Sequence, residues 1–214
     1  MLAGEHRALL RATSGHPDII IRVHPSLDRL AAWLPLYFSD QVEKGGRFVS
    51  GQTVQVGFGL LRLMETDEGD LLIQEPDFVS APITWTEGAS RCVRFLALQK
   101  AVCAELGVEL NFPSLRQVLL AQAPTPGPDR FTLSRDPLAS EGSGWALFAD
   151  ANAAMQLVSI YEAVLACPAI VPFLALPPGS AVKREAGRLA ISAGDHRQSS
   201  DSNLFLSRLV TATI

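Results

Sequence analysis

Lysine is scarce in this chain: its 214 residues hold three (Lys44, Lys100, Lys183) against fifteen arginines. Acids outnumber Lys and Arg by 22 to 18, and the net charge of −4 draws the whole chain neither to nucleic acid nor to an anionic membrane. Only three cysteines are present. Cys92 and Cys103 lie in a helical pattern, about 16 Å apart along its axis, beyond the roughly 7 Å that a disulfide spans. Reduced core thiols in a cytoplasmic protein are the expectation. Four histidines (His6, His16, His24, His196) include no i, i+4 pair, and no Cys-x-x-Cys occurs, so no metal site is expected. Neither a Gly-x-Ser-x-Gly nor a P-loop is found, and Gly57-Phe-Gly59 lacks the third glycine and helix of a dinucleotide fingerprint. No catalytic residue and no cofactor is therefore expected. The chain also lacks an unbroken apolar run. With Glu5, His6, Arg7 and Arg11 near the start, no signal-peptide core is expected there. Ala163 to Val182 carries no charge, but Pro168, Pro172, Pro177 and Pro178 would break a spanning helix, so it reads as buried core.

What is present is a globular composition, 48% hydrophobic and 19% charged. Residues 1–17 read as frayed. Residues 18–23 read as a buried strand, followed by a helix over Leu27 to Leu34 that Ser26 caps and Pro35 ends or kinks. Alternation from Phe48 to Met64, the turn Asp67-Glu-Gly-Asp70 and the run Leu71 to Ile73 predict a hairpin. Thr84 and Glu87 have capping-box spacing ahead of a helix that Gly107 terminates. Leu115 to Ala121 reads as a short helix or strand, Arg130 to Arg135 as a strand, and Leu189 to Ser192 as another. Residues 194–203 read as polar and mobile, with a docked element after them. The fold class expected is α+β: two small lobes, each with an antiparallel sheet and packed helices. Their spans are 1–110 and 111–192, followed by a tail over 193–214.

Arg135-Asp-Pro137, Ser143-Gly-Trp145, Phe148, Ile160-Tyr161, Pro168, Ile170, Pro172-Phe-Leu174, Pro178-Gly-Ser-Ala181 and Arg184 fall in the order of a known pattern. Residues of about 113–192 resemble the immunity-protein Imm33-like domain. Where that family often carries Gly-Asp-Glu, this chain has Ala149-Asp150-Ala151. Where it favours Asp before the helix proline, this chain has Cys167. The resemblance implies a non-enzymatic immunity protein of bacterial origin. It would bind and neutralise a cognate secreted toxin, with a nuclease effector of a type VI secretion system as the expected partner.

Six acids crowd residues 65–77 (Glu65, Asp67, Glu68, Asp70, Glu75, Asp77), with no Lys or Arg between them. As an anionic patch they would face a basic partner surface and speed association. As a solvated hairpin tip they would need no partner. Trp145 and Asp150 complete the candidate partner-binding residues. The alternative for Trp145 is a core indole with its N–H satisfied. Arg135 and Arg184 are expected to pair with Asp136, Asp150 or Glu185. The alternative function is a binding module for a small molecule or a housekeeping protein.

Overall fold

The computed structural model describes residues 4–139 and 141–211. The chain divides into two units, 1–97 and 98–214, and each builds one mixed sheet with helices, an α+β architecture. The division falls inside a helix, upstream of the boundary at 110 that the sequence suggests.

In the first unit, β1 (Gly4–Ala8) pairs antiparallel with β2 (Ile19–Val23), so residues 4–8 are not frayed. The connection holds the short α1 (Arg11–Ser14), and the Asp18 carboxylate accepts the backbone N–H groups of Leu10 and Arg11 at 2.7 and 2.8 Å. A carboxylate closing two free donors fixes the turn. After a 3-10 turn at Pro25–Leu27 come α2 (Asp28–Ala31) and α3 (Trp33–Glu43). Pro35 does not end the helix. It occupies the first turn of α3, where an N–H would lack an intrahelical partner anyway. The expected hairpin forms between β4 (Gly59–Glu65) and β5 (Leu71–Pro76), but the stretch from Phe48 to Met64 is not one strand: a turn at Gly57-Phe58 folds β3 (Thr53–Val56) back on β4. The strand order is β1-β2-β5-β4-β3, with β2 and β5 parallel and the remaining pairs antiparallel.

The largest departure from expectation is at Thr84–Glu87. Trp85–Glu87 forms β6 against the end of β5, and the long helix α4 (Ser90–Leu106) starts only afterwards. Thr84 donates its hydroxyl to Asp77, and Glu87 pairs with Arg22 at 2.7 Å. The cap of α4 comes instead from Glu75. This buried side chain on β5 accepts the N–H of Arg91 at 3.0 Å and that of Cys92 at 2.8 Å. Burial raises the Glu75 pKa, and the two backbone donors only partly counter it. The folded state therefore holds the proton more tightly than the unfolded state. Stability falls as pH rises from the ordinary carboxylate value through the raised one, then levels. Glu75→Gln should remove that slope while costing about 1–3 kcal/mol for the N–H it leaves unmet. Urea unfolding at a series of pH values checks both, and an unchanged slope would count against this account of Glu75.

The second unit is built on the order β10-β7-β9-β8-β11-β12-β13. Its strands are β7 (Val118–Gln122), β8 (Phe131–Arg135), β9 (Trp145–Phe148), β10 (Met155–Ser159), β11 (Ser180–Glu185), β12 (Arg188–Ala193) and β13 (His196–Ser199). Only β7 and β9 run parallel. The segment expected to be mobile, 194–203, contains β13, paired residue for residue with β12. One face of the sheet buries Leu119, Leu133, Trp145, Leu147, Val182 and Ile191. The uncharged run supplies its cover: α5 (Ile160–Ala166), a 3-10 turn at Pro168–Phe173, and buried Leu174, Ala175 and Leu176. Among the described residues, no helix is long and apolar enough to cross a membrane. α5 opens on a true capping box: Ser159 Oγ accepts the Glu162 N–H at 3.1 Å, and the Glu162 carboxylate accepts the Ser159 N–H at 2.8 Å. A last helix, α6 (Leu204–Thr211), docks through Leu206 and Leu209.

Candidate protein-binding surface

The motif residues of the second unit converge inside it. Trp145 is 2% exposed and donates its indole N–H to the Leu174 carbonyl at 3.2 Å. The Arg135 guanidinium lies 5.3 Å over the indole ring. Arg135 does not pair with Asp136, Asp150 or Glu185. It donates to carbonyl oxygens: Leu176 at 2.6 Å, Asn111 backbone at 2.8 Å and side chain at 2.9 Å, and Ser143 at 3.1 Å. Its own carbonyl accepts the Gly179 N–H, and Asp136 N–H donates to the Gly144 carbonyl. Gly144 sits at φ +73°, and a Cβ there would stand 3.1 Å from Ala139 Cβ, so glycine is required. Desolvation lowers the Arg135 pKa. Arg-x-Pro, Ser-Gly-Trp and Pro-Gly-Ser are thus the three strands of one internal knot. Arg184 likewise turns from the acids and donates to the Val210 carbonyl at 2.8 Å.

The six acids of the first unit separate in space. Asp70 is buried and engaged by Arg11 at 2.5 Å and Arg7 at 3.6 Å, and Glu75 caps α4. Asp77 accepts the Val79 N–H and the Thr84 hydroxyl. Glu65, Asp67 and Glu68 remain exposed, at the end of β4 and in the turn before β5. Asp150, also exposed, closes a turn by accepting the Asn152 N–H at 2.9 Å. Of the eight candidate residues, four (Glu65, Asp67, Glu68 and Asp150) are therefore at the surface, while Trp145 is core.

The three cysteine thiols are buried and unpaired. Burial raises the Cys92 pKa well above its usual value and takes Cys103 and Cys167 to about 11, so all three thiols stay protonated and poorly nucleophilic at neutral pH. Among the described residues, no group of three or more His, Cys, Asp or Glu is placed to hold a metal ion.

Sequence reasoning missed a different surface, the outer face of the seven-stranded sheet. Register places Leu157 opposite Leu120, Leu120 beside Ala146, and Ala146 opposite Ser134. The same row continues through Ala181 and Ser192 to Arg197. A second row runs from Phe148 through Thr132, Lys183 and Ala190 to Ser199. Directly opposed residues share a face, so both rows point away from Trp145 and Leu147. At one end stand large aliphatics, Leu157 at 70% and Leu120 at 40% exposure, with Val118 and Met155 near them. At the other end small residues floor an open trough of about 470 Å³ rimmed by Lys183 and Arg197.

Residues 98–189 match the family model of the Imm33-like domain. The second unit carries an Imm33-like domain. No curated protein and no solved structure matches the chain. The match begins where the second unit begins, upstream of the resemblance expected from about residue 113. It ends within β12, so β13 and α6 extend the domain's sheet and cover beyond the matched residues. The Arg135–Trp145 cluster lies within the matched residues.

Proposed function

We propose that this chain binds a cognate secreted toxin and blocks it by protein–protein contact, and that the toxin is a nuclease effector of a type VI secretion system. The observation that carries the reading is the Imm33-like domain over residues 98–189. The exposed acids Glu65, Asp67 and Glu68 fit it, because a nuclease must present a basic groove to its substrate and acids at an interface rim raise the association rate.

The test is survival. Cells expressing the toxin encoded beside this chain should die without it and grow when it is co-expressed, and equal killing in both arms would overturn the proposal. A triple charge reversal, Glu65→Lys with Asp67→Lys and Glu68→Lys, should slow association with that toxin about tenfold at low salt and hardly at all at high salt. Stopped-flow mixing at two ionic strengths measures it.

A further inference from the structure

We infer that the toxin docks on the outer face of the seven-stranded sheet, presenting aliphatic side chains to Leu120 and Leu157 and carboxylates to Lys183 and Arg197. The inference rests on the proposed immunity function and adds where the partner binds and what chemistry it brings. Two observations lead to it.

The first is a break in alternation. A sheet covered on one face should present polar residues on the other. Of the six positions of β7 and β10 that point away from the core, Gln122 and Ser159 are polar, while Val118, Leu120, Met155 and Leu157 are aliphatic and all four are exposed. Singly, exposed aliphatics mean nothing; as a contiguous group on adjacent strands they mark a surface meant to be covered.

The second is charge. The chain is acidic overall, at −4. The trough itself is lined by Lys183 and Arg197 and by no acid, and the two smaller hollows beside it add Arg130, Arg184 and Arg188 against Glu185 and Asp201. Glu185 pairs with Lys183 at 2.8 Å and Arg130 at 3.3 Å, and Asp201 lies 3.7 Å from Arg188. Arg197 has no ionic partner among the described residues. The surplus is cationic, so the complementary surface is anionic. The small side chains of Ala181, Ala190 and Ser192 on the floor let a partner approach the sheet closely. Six inter-strand steps separate β10 from β13, a width of about 29 Å, comparable to one side of a standard protein–protein interface. The apolar end supplies a dehydrated centre and the cations a polar rim, the usual division of labour at an interface.

The test uses the full chain and the purified toxin encoded beside it. Leu120→Asp with Leu157→Asp should weaken binding about 100-fold, mainly through faster dissociation. Lys183→Glu with Arg197→Glu should weaken it about tenfold or more. All four side chains are exposed or at the rim, so both variants should stay folded, with a thermal midpoint lowered by a few degrees through the like charges set opposite each other at 120 and 157 or beside Glu185. Hydrogen exchange on the unmodified complex gives an independent reading: protection should appear in residues 118–122, 155–159 and 180–199. Wild-type neutralisation with unchanged affinity in both double variants would overturn the docking face and leave the immunity function standing. Protection confined to residues 65–70 would do the same. A wild-type homodimer split by Leu120→Asp with Leu157→Asp, at unchanged toxin affinity, would show that the face serves a second copy and overturn the inference too. Failure of the wild-type chain to bind the toxin would remove both proposals together.

Discussion

Trp145→Ala is expected to lower the stability of the second unit by about 3–5 kcal/mol, the usual cost of emptying a buried aromatic site. The indole is 2% exposed, lies between β8 and the uncharged run, and hands its N–H to Leu174. Alanine would leave a large cavity and strand the Leu174 carbonyl. It would also uncover the inner side of the Arg135 guanidinium. Urea unfolding followed by circular dichroism measures the loss, and hydrogen exchange in β8, β9 and β11 assigns it to this unit. A loss under about 1 kcal/mol would contradict the packing described. The fraction that remains folded should keep the binding proposed for the outer face, because Trp145 lies on the face of the sheet opposite Leu120 and Lys183.

Arg135→Lys should destabilise the same unit by about 2–4 kcal/mol. Arginine here is not part of an ion pair. Its planar fork satisfies the carbonyls of Asn111, Ser143 and Leu176 and the Asn111 side chain at once. A lysine ammonium would reach one or two of these and leave the rest buried without donors. It would also lose the stacked geometry over the indole. In a double-mutant cycle with Trp145→Ala, the two losses should fall short of adding by about 1 kcal/mol, since each removes part of the other's environment. Full additivity would mean that the stacking contributes little.

These two residues also show why the sequence reveals the family more easily than the site. Arg135, Ser143-Gly-Trp145 and Pro178-Gly-Ser180 are constrained by several neighbours at once, so their identities form a pattern that can be recognised. Outward residues such as Leu120 and Lys183 are exposed, so packing within the chain does not fix their identities. Alternation at Phe131 to Arg135 was legible because one face is core and the other is not. At Val118 to Gln122 both faces are apolar, and nothing local distinguishes the covered face from the open one.

The two capping signatures make a related point. Thr84-x-x-Glu87 and Ser159-x-x-Glu162 have the same spacing, yet only the second caps a helix. The end of β5 recruited the first as a strand, and Glu75, distant in sequence, took over the helix terminus. Long-range pairing overrode the local signal. The acidic cluster divided for the same reason. Its spacing along the chain was visible, but the partners that bury Asp70 and Glu75 come from Arg11 and from the start of α4.

The place of β10 at the margin of its sheet has a practical consequence. A strand whose outer face carries Leu157 and Met155, with one side of its backbone free of a neighbouring strand, is a template for unwanted self-pairing at high concentration. Leu157→Asp should therefore make the purified chain more soluble, in the same step that would weaken binding on the docking face proposed above. On that proposal, solubility of the free chain and tightness of its complex pull on the same leucine in opposite directions.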